Sequence, residues 1–277
     1  MTGMPLFLHG VPLPKSVQEM SMNVSVPVIV LGLLPSSKDE QGKLKLALCS
    51  GGCFQAIGHG ISNSFLNKVR GVAKQFFQLL QEEKQKYSRA ANQVEGCGYD
   101  LVVSEKQVLD WNTRLFLRVF PEHQRKLNLW PENPDKIRHA YLTLSRRTVS
   151  YELNSCREVL HEYSIKLKQL VDLLFKAMAK SLALEENSRP DWRQSSDACQ
   201  IMSNGIFKSP VHRVLTNTDK LRISVAMFNE VEPEKEIGGL IDENRPRLYR
   251  NVKIYASFNY ECFQKGKVPL EEVKFHA

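Results

Sequence analysis

The chain has 277 residues, of which 42% are hydrophobic and 25% are charged. This balance is typical of a globular protein and excludes a disordered one, and the length suits one large domain or two modest ones. A net charge of +8 could indicate an anionic partner. However, the Lys and Arg residues are dispersed and form no run of five, so we do not expect binding to nucleic acid, which has only the net charge in its favour.

The compartment is predicted from cysteine usage and from the apolar runs. The longest apolar run, Val26 to Leu34, is too short to span a bilayer. The N-terminal segment has three prolines and no basic leader, so it is not typical of a secretion signal. The six cysteines lack the paired spacing of a zinc site. We therefore expect reduced thiols in a cytoplasmic protein. The cysteines are Cys49, Cys53, Cys97, Cys156, Cys199 and Cys262.

Two strands and a helix are predicted in the first third of the chain. A strand over Val26 to Leu31 is followed by a polar linker over Pro35 to Gly42 and a second strand around CFQAIGH. A helix then begins with Ser62 or Asn63 as its N-cap. Its apolar stripe, interpreted as core packing, consists of Phe65, Val69, Val72, Phe76 and Leu80.

A second long helix is predicted from about Cys156 to Leu184. The stretch from Ser188 to Cys199 is polar and has no pattern, the sequence is then strand-like to about Val231, and after a loop a last helix lies around Arg247 to Phe263. So few strands make a poor sheet, because an isolated hairpin is only marginally stable. The strands that would complete this sheet are therefore expected to be missing. The second helix has the apolar stripe Leu160, Tyr163, Leu167, Leu170, Leu174, Met178 and Leu182.

The segment SPVHRVLTNTDKLRISVAMF, residues 209–228, is predicted to form a hairpin with its turn at TNTDK. If the turn is centred on Asn217, His212 lies opposite Arg222, on the same face as Ser224. An imidazole, a guanidinium and a hydroxyl could together bind a metal ion and a carboxylate. The other interpretation is a solvent-facing polar surface, because any half-buried strand pair alternates in this way. The opposite face requires a hydrophobic layer and carries Leu221, Ile223, Val225 and Met227.

Most of the chain closely resembles the plant iron(II)- and 2-oxoglutarate-dependent dioxygenases, in the senescence-related and codeine O-demethylase-like subgroup. The resemblance implies an α+β fold, with helices flanking a double-stranded β-helix, or jelly roll. It implies a helical N-terminal region over 1–187, a truncated oxygenase region over 198–277 and a C-terminal helix. The matching segments are VPLPKSVQEM, CFQAIGHGIS, AKQFFQLLQEEKQKYSRA, VEGCGYD, SEKQVLDWNTRLFLRVFPEHQRKLNLWPENP, LFKAMAKSLALEEN, QIMSNGIFKSPVHRV, RISVAMF and RPRLYRNVK.

The resemblance also implies a site. In the family a His-x-Asp pair and a distal histidine bind Fe(II) and leave positions open for cosubstrate and oxygen. His212, in SPVHRV, matches the distal histidine, and Arg222 and Ser224, in RIS, match the pair that binds the far carboxylate of 2-oxoglutarate. The implied cofactors are Fe(II) and 2-oxoglutarate, with ascorbate as reductant. The implied partner is a small aromatic plant metabolite, which a monomeric enzyme hydroxylates or O-demethylates.

The sequence departs from the family at its centre. None of the seven histidines has Asp or Glu two residues later. The family block between ALEEN and QIMSNG, which carries His-x-Asp, is replaced by SRPDWRQSSDAC, in which Asp197 is interpreted as the remnant of a Gly-Asp turn. Residues 137–155 match nothing in the family, and Val30 stands where the family usually has Asp. A clean deletion with an unmatched insertion indicates altered exon usage or a mistaken gene model rather than gradual drift.

Two consequences are expected from these departures. One remaining imidazole would bind Fe(II) only weakly, since affinity comes from several preorganised ligands, and neither Asp197 nor Cys199 has the spacing of a replacement. Without its central strands the jelly roll would keep open edges and an exposed aliphatic face. We therefore expect a poorly stable chain that is inactive as an oxygenase. The alternative is a non-catalytic remnant whose helical N-terminal half serves as an interaction surface.

Three further residues are weighed between chemistry and structure. His59 lies between glycines and could be a metal ligand, but the family context favours a structural strand-to-helix turn. Trp111 and Trp130 are interpreted as packing residues rather than as stacking partners for a substrate.

Overall fold

The computed structural model describes residues 4–11, 25–90, 93–99, 113–131, 156–184, 196–210, 222–229, 236–239 and 245–275. The strands are β1 Met4–Val11, β2 Val28–Val30, β3 Gln55–Ile57, β4 Gly96–Gly98, β5 Thr113–Phe120 and β6 Arg222–Met227. The helices are α1 Lys38–Ser50, α2 Asn63–Gln78, α3 Gln81–Gln85, α4 Cys156–Ser181, α5 Ser196–Met202, α6 Tyr255–Gln264 and α7 Pro269–Val273. Short 3-10 helices occupy Leu31–Leu33, Glu122–Gln124 and Leu127–Leu129.

The largest sheet has four strands in the order β4-β5-β1-β6, and every neighbouring pair is antiparallel. The N-terminal strand β1 therefore lies between β5 and β6, two strands that are far apart in sequence. The sequence predicted no strand before Val26, so β1 is an element that the pattern missed. Its segment MPLFLHGV is an apolar run without the polar alternation of a half-buried strand. Pro5 is tolerated because the β1–β5 register shifts between Met4 and Pro5.

One face of this sheet packs against helices α2 and α4 and forms a cluster that we call the sheet core. Leu115, Leu117 and Val119 of β5 have 0% exposure there. Alternate residues of β6 pack against the same cluster, although they are only partly buried. The expectation of an exposed aliphatic face was therefore wrong for the described part of β6, because α2 and α4 supply the hydrophobic layer. The packed β6 residues are Ile223, Val225 and Met227.

A second cluster lies beside the sheet core and joins α1, the C-terminal part of α4, α5 and the C-terminal helices. Leu170 of α4 packs against both clusters. The strands β2 and β3 form a separate two-stranded parallel sheet. Within the described ranges the strands thus make one sheet of four and one of two, and the sheet content is that of an incomplete jelly roll, as the sequence predicted.

Helix α1 corrects the predicted linker over Pro35 to Gly42. The hydroxyl oxygen of Ser37 accepts a hydrogen bond from the backbone N–H of Glu40 at 3.2 Å and caps the helix. Asp39 and Glu40 occupy the first turn, where negative charge is favourable. The polar residues that suggested a linker are therefore the N-terminal turn of a helix. Its later turns bury Leu44, Ala47 and Leu48.

The predicted helix after Ser62 is confirmed. The Ser62 hydroxyl oxygen accepts the N–H of Phe65 at 3.2 Å, as expected of an N-cap. Helix α2 ends at Gln78, and the extended backbone at Leu79 and Leu80 separates it from α3. Leu80 was predicted in the apolar stripe but is 62% exposed, because the chain turns before reaching it.

The second long helix is also confirmed, whereas two C-terminal boundaries differ from prediction. Helix α5 begins at Ser196, inside the stretch predicted to have no pattern, and it buries Ala198. The last predicted helix, Arg247 to Phe263, begins only at Tyr255. Before it, Tyr249 bridges Lys274 and Val252 bridges Ile237, so those residues are held by backbone pairing.

All six cysteines are free thiols. Burial raises the pKa of Cys156 and of Cys199 to about 12. These two thiols therefore stay protonated near neutral pH and serve as packing groups. Among the described helices, none combines the length with the hydropathy needed to cross a bilayer.

The sheet core predicts a large effect for Leu115→Ala. Leu115 has no exposed surface, so its truncation is expected to cost about 2–5 kcal/mol of unfolding free energy in urea titrations. Leu46→Ala is the matched control, since Leu46 is 70% exposed and its truncation should cost less than about 0.5 kcal/mol. Equal losses for the two variants would contradict the position of the core.

Candidate cosubstrate and metal site

Two of the predicted site residues lie on β6. Arg222 is its first residue and is exposed, whereas Ser224 is half-buried. Because residues two apart in a strand share a face, both lie on the face of the sheet opposite the sheet core, which we call the outer face. The guanidinium and the hydroxyl are thus presented on one surface, as the alternation in RISVAM predicted.

The third predicted site residue, His212, lies outside the described residues. Its pairing with Arg222 therefore stays a prediction. The described strand that pairs with β6 is β1, in which Val11 is the register partner of Arg222 and His9 is the register partner of Ser224.

The outer face is positively charged. The three strands β1, β5 and β6 contain no Asp or Glu. Arg114 of β5 also belongs to this face, and burial lowers the pKa of its guanidinium, which the nearby positive charge of Arg89 lowers further. The charge of Arg118 is balanced by Glu95, whose carboxylate lies 3.7 Å from the Arg118 Nε. The exposed Arg222 adds a positive charge to the outer face, where it favours an anionic ligand.

The described residues do not fit a complete Fe(II) site. Within those ranges no group of three His, Cys, Asp or Glu side chains could hold a metal ion. The His59 Nδ1 accepts a hydrogen bond from the backbone N–H of Ile61 at 3.1 Å, which supports the structural turn rather than a ligand. Together with the absence of any His-x-Asp or His-x-Glu in the sequence, this leaves the iron side of the site incomplete.

Asp197 and Cys199 do not replace the missing ligands. The Asp197 Oδ2 accepts a hydrogen bond from the Tyr255 hydroxyl at 2.8 Å, and Oδ1 accepts one from the Ser209 hydroxyl. Both carboxylate oxygens are therefore engaged by the protein. The buried thiol of Cys199 has a pKa raised to about 12, and a protonated thiol is a poor metal ligand.

Asp197 instead takes part in a brace that sequence reasoning missed. The Gln200 Oε1 accepts the backbone N–H of Ser209 at 2.6 Å, and the Gln200 Nε2 donates to the Tyr249 hydroxyl at 2.7 Å. The two α5 side chains thus hold Ser209 against residues that follow β6 in the chain. Ser209 lies three residues before His212 in the sequence.

The brace predicts a moderate loss of stability for Asp197→Ala. The buried Tyr255 hydroxyl and the Ser209 hydroxyl both lose their acceptor, which is expected to cost about 1–3 kcal/mol in urea unfolding. Tyr255→Phe removes only one of these bonds and should cost less. An Asp197→Ala variant as stable as the original chain would rule out the brace.

Comparison with known proteins identifies the family. Residues 26–133 match the family of the N-terminal region of non-haem dioxygenases in morphine synthesis, and residues 194–231 match the 2OG-Fe(II) oxygenase superfamily. The chain belongs to the 2OG-Fe(II) oxygenase superfamily. This confirms the resemblance stated from the sequence, and Fe(II) and 2-oxoglutarate are the cofactors of the superfamily. The unmatched residues between the two regions include the segment 137–155, which was predicted to be an insertion.

Plant enzymes are among the relatives of this oxygenase. S-norcoclaurine synthase 1 of Coptis japonica is 28% identical, with 87% of this chain and 81% of the relative covered. Codeine O-demethylase of Papaver somniferum is 28% identical, with 82% and 78% covered. The first alignment runs over 308 residues, more than the 277 of this chain, so the relative carries residues that this chain lacks.

The fold is confirmed by solved structures. The crystal structure of JOX2 in complex with 2OG, Fe and JA has a TM-score of 0.74 and 21% identity, and the match covers 91% of this chain and 89% of that one. The predicted α+β architecture, with helices around an incomplete jelly roll, therefore holds for this oxygenase.

Proposed function

We propose that this 2OG-Fe(II) oxygenase retains the anchor for the 2-oxoglutarate carboxylate but does not turn the cosubstrate over. The observation that carries the proposal is that the residues expected to bind the 2-oxoglutarate carboxylate are present, whereas the set of iron ligands is incomplete. Arg222 and Ser224 share the outer face, whereas the described residues hold no metal-binding cluster and no histidine in the sequence precedes an acidic residue at the required spacing.

The anchor half is chemically sufficient to bind a carboxylate. A guanidinium can donate two parallel hydrogen bonds to the two oxygens of one carboxylate, and its planar fork suits this geometry better than an ammonium does. The Ser224 hydroxyl can donate a third hydrogen bond on the same face.

The metal half is insufficient. In the family, Fe(II) supplies the oxygen chemistry that couples conversion of 2-oxoglutarate to oxidation of the substrate. With His212 as the one predicted ligand, the chain would bind Fe(II) weakly, because a preorganised set of ligands is needed for affinity. Without bound iron, 2-oxoglutarate occupies its anchor unchanged.

The names of the relatives support a substrate class for the proposed function. Their names, S-norcoclaurine synthase and codeine O-demethylase, support an aromatic plant specialised metabolite as the second ligand. Hydroxylation or O-demethylation of such a metabolite is then the reaction that a form with complete iron ligands would perform. The six free thiols support a reducing compartment, which we infer to be the cytoplasm.

Two measurements on the purified full chain test the proposal. Succinate formation is measured by mass spectrometry with added Fe(II), ascorbate and 2-oxoglutarate, beside codeine O-demethylase as an active control. Binding of 2-oxoglutarate is measured by titration calorimetry in the presence of EDTA. We expect saturable binding without succinate above the level of a protein-free sample. Succinate that depends on added Fe(II) would contradict the loss of turnover, and absence of binding would contradict the retained anchor.

A further inference from the structure

We propose that Arg125 and Trp130 bind the carboxylate group of a small organic acid, at a site separate from the anchor on the outer face. Both side chains are buried, since that of Arg125 is 9% exposed and Trp130 is 1% exposed. The Arg125 Nη2 and the Trp130 Nε1 are buried atoms with no hydrogen-bond partner. A buried donor without an acceptor is costly, so two such donors in adjacent side chains are the observation that carries the inference.

The geometry around the guanidinium leaves one of its edges for a ligand. The guanidinium carbon of Arg125 lies 5.3 Å from the ring centroid of Trp130 and 5.5 Å from that of Phe120, so two aromatic rings flank the charge. The Arg125 Nε donates to the Val119 carbonyl oxygen at 2.7 Å, which fixes the position of the side chain. A carboxylate has two oxygens, so it can accept from Nη2 and from the indole Nε1 without the two donors converging on one point.

The charge of Arg125 favours an anion over a water molecule as the shared acceptor. Burial lowers the pKa of the Arg125 guanidinium, and the nearby carboxylate of Glu122 offsets only part of this shift. The Glu122 Oε1 lies 3.4 Å from Nη2 without forming a hydrogen bond, and this side chain is 60% exposed, so water screens its charge. A water molecule would accept both bonds but add no charge, whereas a carboxylate accepts both and balances the guanidinium.

The site lies close to the protein surface, so a small acid can reach it. In the chain, Arg125 lies between the 3-10 helices Glu122–Gln124 and Leu127–Leu129, in which the side chains of Glu122 and Leu127 are exposed. Since the Glu122 carboxylate forms no hydrogen bond with Nη2, rotation of this exposed side chain opens that edge of the guanidinium. Glu122 therefore acts as a competing carboxylate that the ligand displaces.

The register of β1 shows that this site is separate from the cosubstrate anchor. Trp130 belongs to the sheet core, whereas Arg222 lies on the outer face. Phe120, beside the new site, is the register partner of Met4. Arg222 is the register partner of Val11, so the two sites lie roughly 23 Å apart along β1 at about 3.3 Å per residue. The inference therefore does not depend on the proposed function.

The test is an NMR titration of the full chain with sodium acetate, which replaces sodium chloride at constant total salt. The indole N–H signal of Trp130, assigned by its loss in Trp130→Phe, is expected to shift until it saturates. Arg125→Lys keeps the charge but removes Nη2, and it is expected to raise the acetate dissociation constant about tenfold. Glu122→Gln removes the competing carboxylate and should lower this constant about threefold. Glu82→Gln makes the same charge change at an exposed position of α3, so it is the matched control and should leave the constant unchanged.

Three results would overturn the inference, and none of them requires a variant of a buried residue. A Trp130 signal that does not shift as acetate replaces chloride would show that the two donors bind no carboxylate. Equal responses of Glu122→Gln and Glu82→Gln would show that net charge, rather than the edge of the Arg125 guanidinium, controls binding. A Trp130 response that disappears in Arg222→Ala would place the acetate at the cosubstrate anchor instead.

Discussion

Deletion of residues 1–11 is expected to abolish cooperative folding of the chain. Strand β1 pairs antiparallel with β5 along one edge and with β6 along the other, so its removal breaks both ladders at once. Each backbone hydrogen bond contributes about 1 kcal/mol net, and the total stability of a domain is only about 5–15 kcal/mol. The exposed edges of β5 and β6 would in addition be free to pair with other chains.

The expected result is a deletion variant that elutes as an aggregate from size exclusion and has no cooperative thermal transition by circular dichroism. A synthetic peptide of residues 1–12, added in excess during refolding, should restore part of the transition by adding a strand between β5 and β6. A deletion variant that melts as sharply and at the same temperature as the full chain would show that β1 behaves as an ordinary frayed terminus.

The two long helices α2 and α4 could be predicted from the sequence because their signals are local. Helix α2 follows from apolar residues at three- and four-residue spacing and from the Ser62 N-cap, all within one segment. Helix α1 carries its own cap at Ser37, but its first turn is polar and was interpreted as a linker. The two helices differ in where their buried apolar residues lie. In α1 these residues begin only at Leu44, so the apolar spacing does not extend over the first turn of the helix.

The sheet could not be predicted in the same way because its pairing is not local. The partners of β1 lie about a hundred and two hundred residues along the chain, and nothing within MPLFLHGV indicates which strands it joins. The alternation in RISVAM was sufficient to place Arg222 and Ser224 on one face. The place of His9 beside Ser224 depends on the register between two remote strands, so only the structure reveals it.

The proposed loss of central strands would account for both the incomplete iron site and the position of β1 in the sheet. A chain that loses central strands of a jelly roll exposes the edges of those that remain, and an unpaired edge is a site for strand addition. In this oxygenase the N-terminal strand occupies the edge of β6 and allows its apolar residues to pack on α2 and α4. The loss that we propose to remove iron binding therefore leaves a sheet that can still present the carboxylate anchor.

Replacement of Arg222 is expected to have the largest effect on ligand binding. Arg222→Ala should weaken 2-oxoglutarate binding about tenfold or more, since hydrogen bonds to charged groups contribute about 1.5–3 kcal/mol and the exposure of Arg222 favours the lower value. Arg222→Lys keeps the charge but loses the paired donors, so it should recover only part of the affinity. Calorimetric titration in EDTA measures all three proteins directly.

The decisive control for Arg222 is Arg70→Ala. Arg70 is exposed on α2, where it hydrogen-bonds Asn67 at 2.7 Å, and its removal changes the net charge by the same amount. If binding depends on the paired donors of Arg222, Arg70→Ala binds as the original chain does and the Arg222 deficit persists at high salt. If binding depends on net charge alone, both variants weaken equally and the difference disappears as salt screens the field. Only the first result is compatible with a specific anchor for the cosubstrate on the outer face of the sheet.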